Sequence, residues 1–253
     1  MVDRLTQLLK ENACLYGLIC RDPTSIDIEL MAKLGYHLVW LDLEHCLLAP
    51  SEAARLGRTI THLGMVPLVR IPELARSHVQ LFLDEGIQIL VVPDIRDVEQ
   101  IRHLVTLGKY PPLGQRGVSS TSAGTDYTLG ADPQQTLDEI NKATRLMALI
   151  ESDQGYQILD AMLAVEGLDM VGVGTRDWTT SLGLSDAQAH AQLEPKIARV
   201  ITRATKADKM VILNISSPEQ ARRYQDLGAR IFLLGVDITI KRAALAETID
   251  RFL

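Results

Sequence analysis

Glu151 and Asp177 each stand just beyond a short apolar run. Residues 145–150 lead straight into Glu151, and residues 169–173 pass through Gly174-Thr175-Arg176 into Asp177. Two carboxylates at the tips of neighbouring strands can hold one hard divalent cation and leave positions open for substrate and water. Mg²⁺ suits so sparse an oxygen site, and Mn²⁺ or Co²⁺ fits it as well. Two capping or salt-bridged surface acids would give the same pattern. His45 closes the segment Asp42-Leu43-Glu44-His45. An imidazole there is a candidate general base, with Asp42 and Glu44 close enough in sequence to orient it and raise its basicity. A histidine that only hydrogen-bonds nearby backbone is the plainer alternative. Arg70 ends a further apolar run and can bind a carboxylate or stabilise an oxyanion, or serve only in a structural ion pair. Cys46, beside His45, reads as a small buried thiol rather than a nucleophile.

These residues need a scaffold that gathers strand ends. Extended apolar or alternating runs fall at 15–19, 37–41, 66–70, 88–92, 145–150, 169–173, 209–213 and 230–234. Several are apolar throughout, such as Ile89-Leu90-Val91-Val92, which is the pattern of strands covered on both faces in a parallel sheet. Helical signals lie between them. Ser25 is a candidate cap for 26–34, which stops at Gly35. Ser217-Pro218-Glu219-Gln220 and Asp97-Val98-Glu99-Gln100 open two more helices with capping-box spacing. The Ser217 helix ends at Gly228, and Gly64 and Gly86 close two more. Strands alternating with helices indicate a βαβ architecture, and eight is the number that closes a (β/α)8 TIM barrel, with active groups at the C-terminal strand ends. An open doubly wound sheet is the alternative, but no GxGxxG follows a strand. The reading is one barrel domain, 1–253. The segment 108–133, with five glycines and three prolines, breaks the rhythm and reads as an active-site loop over the strand ends.

Composition narrows the function classes. The 253 residues carry 26 Lys+Arg against 32 Asp+Glu, with no basic run, which argues against nucleic acid as the main partner. Aromatic residues make up only 4%, too few for base-stacking platforms. No apolar run reaches the roughly 18 residues of a membrane span. The first twelve residues hold Asp3, Arg4, Lys10 and Glu11, so they do not read as a signal peptide. Three cysteines, Cys14, Cys20 and Cys46, form no disulfide framework and no zinc-type pair. The expectation is a cytoplasmic protein acting on something small.

Longer motifs sharpen this. They are Leu41-Asp42-Leu43-Glu44-His45, Pro67-Leu68-Val69-Arg70, Leu83-Asp84-Glu85-Gly86, Tyr110-Pro111-Pro112-Leu113-Gly114-Gln115-Arg116-Gly117, Ile150-Glu151, Val165-Glu166-Gly167-Leu168-Asp169, Ser181-Leu182-Gly183 and Gly235-Val236-Asp237. In this order and spacing the chain, from Gly17 to Leu253, resembles the HpcH/HpaI aldolases. These are metal-dependent class II pyruvate aldolases that include 2-keto-3-deoxy sugar acid aldolases. The resemblance implies a TIM barrel, assembled as a hexamer (a trimer of dimers) with the last helix exchanged between partners. It implies a divalent metal held by Glu151 and Asp177 and chelated by pyruvate. His45 would move protons, Asp84 would raise its basicity, and Arg70 would stabilise the developing enolate. The implied reaction is reversible retro-aldol cleavage of a 4-hydroxy-2-oxo acid to pyruvate and an aldehyde, with no Schiff-base lysine.

The chain departs from the family pattern at the mouth. A substrate-contacting glutamine is usual where Leu149 stands, and Leu149 can neither donate nor accept. The usual Gly-Pro-Ala-Asp is Gly174-Thr175-Arg176-Asp177 here, so Arg176 keeps the backbone N–H offered to the pyruvate carboxylate and adds a long cation. That cation would contact an unusual substrate's carboxylate or turn to solvent. Trp178-Thr179-Thr180 replaces smaller residues, and the indole would pack under the loop or narrow the pocket. A lyase with altered preference is expected. The alternatives are an oxo-acid decarboxylase or other enolate carbon–carbon bond-forming enzyme on the same site, and a non-catalytic oxo-acid-binding oligomer. No cluster suits the phosphates of CoA.

Overall fold

A computed structural model describes residues 2–46 and 48–253. The apolar runs form β1 (Leu15–Cys20), β2 (Leu38–Asp42), β3 (Val66–Arg70), β4 (Ile89–Val92), β5 (Arg145–Ile150), β6 (Met170–Val173), β7 (Met210–Asn214) and β8 (Ile231–Val236). All pair in parallel and in chain order, and β8 closes on β1. This is the eight-stranded barrel expected. From β2 to β6 every strand residue is buried, because helices cover one face and the barrel interior the other.

The helices are α1 (Arg4–Glu11), α2 (Ser25–Lys33), α3 (Pro50–His62), α4 (Arg76–Asp84), α5 (Val98–Gly108), α6 (Pro133–Ala143), α7 (Asp153–Gln157), α8 (Leu159–Leu163), α9 (Thr175–Ser181), α10 (Asp186–Lys206), α11 (Pro218–Asp226) and α12 (Asp237–Asp250). Asp97 caps α5 in a capping box with Gln100, and Ser217 caps α11. The cap of α2 is Thr24, one residue before the Ser25 that the sequence suggests. Three residues after Thr24 stands Asp27, whose carboxylate accepts the Thr24 backbone N–H at 2.8 Å; three after Ser25 stands Ile28, which cannot accept one.

Two apolar layers hold the barrel. Inside it, Trp40, Leu68, Val91, Met147, Leu149, Ile212 and Leu233 pack together, and Leu5 and Leu8 of α1 join them from the N-terminal end. Crowding there requires Gly172, where a Cβ would lie 2.4 Å from Met147 Cε and 2.7 Å from Leu149 Cδ2. Outside, the opposite strand faces meet the helices in one larger cluster.

The segment 108–133 does not lie over the C-terminal strand ends. It joins α5 to α6 ahead of β5, and a connection that feeds a strand runs at that strand's N-terminal edge. There the Gly117 carbonyl accepts from Gln80, Arg116 pairs with Asp84, and Gly124 packs on the end of α4, where a Cβ would meet Leu83 O at 2.3 Å. The glycines serve this close packing, and a short 3-10 turn spans Ala123–Thr125. After β8, α12 leaves Ile240, Leu245 and Ile249 exposed along its length.

Candidate active site

The C-terminal ends of the strands surround a cavity of about 350 Å³. Arg21, His45, Arg70, Glu151, Arg176 and Asp177 supply its charges, and Trp40, Leu149, Ile212 and Leu233 form its apolar floor. The structure therefore brings together every candidate site residue except Asp84 and Asp42, and Asp42 lies directly behind Arg70.

Asp42, the last residue of β2, is fully buried. Arg70, the last residue of the adjacent β3, reaches it with Nε–Oδ1 at 3.0 Å and Nη2–Oδ2 at 2.7 Å. Oδ1 also accepts from the backbone N–H groups of Glu44 and His45, at 3.1 and 3.4 Å. Burial alone would raise the Asp42 carboxyl, but the hydrogen bonds and charge of Arg70 hold it below the ordinary carboxylate range. Asp42 thus fixes the arginine and the turn that carries His45, rather than the imidazole itself. The third guanidinium nitrogen, Nη1, is 2.7 Å from Glu44 Oε2 and 3.9 Å from Glu151 Oε1. Burial raises the Glu44 carboxyl. His45 is 45% exposed, and its Nε2 is 3.8 Å from Glu44 Oε2, so its ring is open to the cavity.

Glu151 follows β5 and is only 7% exposed. Its Oε2 accepts the Asp94 N–H at 2.9 Å, and Asp94 takes a left-handed φ of 49° at that point. Burial first, then the charges of Asp177 and Glu44, pushes Glu151 up to about 7, against the Asp94 hydrogen bond and Arg70. Gly174 makes room for it, since a Cβ there would lie 2.3 Å from Glu151 Oε1. Asp177 sits in the first turn of α9, exposed at the same cavity. Two hard oxygen donors, one buried and disfavoured as a bare anion, suit a divalent cation. Among the described residues no group of three or more His, Cys, Asp or Glu could hold a metal ion. A cation here would rest on two carboxylates and take its other ligands from substrate and water.

Asp84 lies elsewhere. It ends α4, just ahead of β4, and its carboxylate binds Arg116 at 2.8 Å and Gln80 at 2.7 Å. That end of the barrel is opposite the mouth, so Asp84 does not orient His45 of its own chain. Trp178 is wholly buried behind the site, with Nε1 donating to Asp153 Oδ1 at 2.9 Å and its ring 5.5 Å from Tyr156. It neither packs under the 108–133 segment nor narrows the pocket. Arg176 stands between the main cavity and a second one of about 300 Å³ beside α10 and α11. The Cys46 thiol donates to the Asp42 carbonyl and is raised by burial, an arrangement that suits structure and not nucleophilic attack. Sequence reasoning missed Arg21 and Asp94. Arg21 carried the same signal as Arg70, a cation directly after an apolar run, whereas the Asp94 contribution is backbone and leaves no trace in residue type.

The HpcH/HpaI aldolase/citrate lyase family matches residues 21–244. A 2-keto-3-deoxy-L-rhamnonate aldolase of Salmonella gallinarum is 30% identical over 244 residues, covering 96% of this chain and 91% of that protein. The crystal structure of an HpcH/HpaI aldolase from Desulfitobacterium hafniense superposes with a TM-score of 0.90 at 26% identity, covering 98% of this chain and 96% of that one. Macrophomate synthase, at 21% identity and a TM-score of 0.83 over 98% of this chain and 89% of its own, shares the fold. A closed parallel barrel with acids, an arginine and a histidine at its C-terminal mouth defines a barrel lyase of the aldolase type. The chain belongs to the HpcH/HpaI aldolase/citrate lyase family.

Proposed function

We propose that this chain, one barrel unit over 1–253, is a divalent-metal-dependent lyase that cleaves a 4-hydroxy-2-oxo acid reversibly to pyruvate and an aldehyde. The observation that carries the reading is Glu151: a buried carboxylate, aimed by the Asp94 N–H and given space by Gly174, beside Asp177 at the mouth. Glu151 and Asp177 would hold Mg²⁺, Mn²⁺ or Co²⁺, and a bound cation supplies Lewis-acid stabilisation of charge developing on the oxo acid. Arg70, locked by Asp42, turns Nη1 toward Glu151 and stabilises the same developing charge. His45, open at the cavity, accepts the proton of the C4 hydroxyl as the C3–C4 bond breaks, and returns a proton to C3 to complete pyruvate. Backbone at Gly174 and Arg176 lies where the oxo-acid carboxylate would be held, and Arg176 stands over it. The exposed apolar residues of α12 support assembly into a homo-oligomer in which this helix is covered by another subunit. No helix among the described residues is long and apolar enough to cross a membrane, and a cytoplasmic location and the absence of a nucleic-acid partner remain part of the proposal.

Chelation tests it. EDTA should abolish pyruvate release from 4-hydroxy-2-oxo acids, and Mg²⁺, Mn²⁺ or Co²⁺ should restore it; activity untouched by EDTA overturns the metal assignment. The apolar floor at Leu149 favours a second reading, decarboxylation of an oxaloacetate-like acid. Carbon dioxide and pyruvate measured across a panel of oxo acids separate the two.

A further inference from the structure

Arg21 is the cation at the mouth to which the reaction above gives no task. It directly follows β1, and its backbone N–H donates to Asp237 Oδ1 at 3.1 Å, which fixes where the side chain begins. The side chain lines the same cavity as Glu151 and Asp177. Its Nε is buried with no hydrogen-bond partner, and among the described residues its guanidinium forms no hydrogen bond. The nearest acid is Asp42, with Nε–Oδ2 at 3.6 Å, too long for a hydrogen bond. Both Asp42 oxygens are already taken by Arg70. The donors of Arg21 are therefore left over after the local acid has been satisfied.

Its position gives these donors a direction. In a ring of eight strands in chain order, β1 stands opposite β5, the strand that carries Glu151. Between them lies the apolar floor of Trp40, Leu149 and Leu233. A substrate held by its oxo-acid end at Glu151 and Asp177 would cross these apolar side chains and arrive at a planar fork of N–H donors. Such a fork matches a carboxylate bidentately. We propose that Arg21 is a specificity-determining residue that binds a second carboxylate, so that the preferred substrate is a dicarboxylic 4-hydroxy-2-oxo acid. This rests on the reading that the oxo-acid end sits at Glu151 and Asp177.

The test uses two acids of equal length that are not cleaved, 2-oxoglutarate and 2-oxopentanoate, which differ in a terminal carboxylate against a methyl. Their binding to the Mn²⁺-loaded protein is measured by calorimetry for wild type, Arg21→Met and Arg21→Lys, with melting curves to verify folding. Wild type should favour 2-oxoglutarate. In Arg21→Met that ratio of affinities should fall by about tenfold to a hundredfold, the range of a charge-assisted hydrogen-bonded pair, and Arg21→Lys should keep part of it. A merely structural arginine, steadying Asp42, would weaken both acids alike and leave the ratio in place, which overturns the proposal. No measurable binding of 2-oxoglutarate overturns it too. Pyruvate release from 4-hydroxy-2-oxoglutarate is followed in parallel. A ratio that collapses without any cleavage keeps Arg21 and removes the aldolase reading; cleavage with an unmoved ratio does the reverse.

Discussion

Gly174→Ala probes the Glu151 carboxylate without touching a charged residue. The backbone at 174 has a φ of -89°, which alanine adopts freely, so the perturbation is steric. The added methyl would lie 2.3 Å from Glu151 Oε1, 2.5 Å from Cγ and 2.8 Å from Cδ. Non-bonded heavy atoms rest about 3.5 Å apart, so the carboxylate must retreat by about 1 Å. It cannot do so and keep Oε2 on the Asp94 N–H, now at 2.9 Å. Losing a hydrogen bond to a charged group costs about 1.5–3 kcal/mol, or about tenfold to 150-fold in the affinity of a cation that needs the carboxylate in its original place. Mn²⁺ binding would be measured by calorimetry at about pH 8, above the Glu151 value of about 7. A Gly174→Ala protein that melts normally and binds Mn²⁺ within about threefold of wild type would refute the reasoning, because Glu151 would then not be a ligand whose position matters.

Three further outcomes are expected. Glu151 rises from 4.5 to about 7 on folding, so the folded state holds its proton more tightly; that stabilisation is complete below about pH 4.5 and lost as pH rises through about 7. The metal-free wild type should therefore lose up to about 3 kcal/mol relative to Glu151→Gln between these limits, and a melting-temperature difference flat with pH would contradict this. Arg70→Met leaves the wholly buried Asp42 with two backbone N–H groups and Arg21 at 3.6 Å, and should cost about 3 kcal/mol, about 6–12 °C in melting temperature. Adding Asp42→Asn should recover part of the loss, and no recovery would show that the pair is not coupled. His45→Ala removes a ring that is 45% exposed, so turnover should fall by about 10²–10⁴-fold while Mn²⁺ affinity holds; equal turnover would exclude His45 from the proton transfers.

The barrel was legible because its strands announce themselves. Runs such as Ile89–Val92 are apolar on both faces, and only a helix-covered parallel sheet buries both. Strand-tip residues then followed from topology, which is why His45, Arg70, Glu151 and Asp177 meet at one cavity. Two placements were not legible in residue type alone. The glycines of 108–133 look the same whether they let a loop move over a mouth or pack a connection against α4, and only the order of α5, α6 and β5 decides. Asp84 is an acid at the end of a helix that feeds β4; that order puts it at the end of the barrel away from the mouth, but residue type does not state that Arg116 and Gln80 are its partners there. The roles of Asp94 and Gly174 depend on a backbone N–H and a missing Cβ, which residue type does not encode.

Leu149 in β5 and Glu151 just past its end stand two residues apart, and both face the mouth cavity at successive levels. The lower one is the stopper of a vessel and the upper one part of its rim. Trimming or enlarging the stopper changes how deep a guest can sink while the rim keeps its charges, since Glu151 is aimed by Asp94 and Gly174 and not by Leu149. With Gly172 alongside already filled by Met147 and Leu149, a smaller residue at 149 would open volume at one point only. Depth and reactivity are thus set by different residues two positions apart, and a lineage built on this barrel can exchange its guests without rebuilding its chemistry.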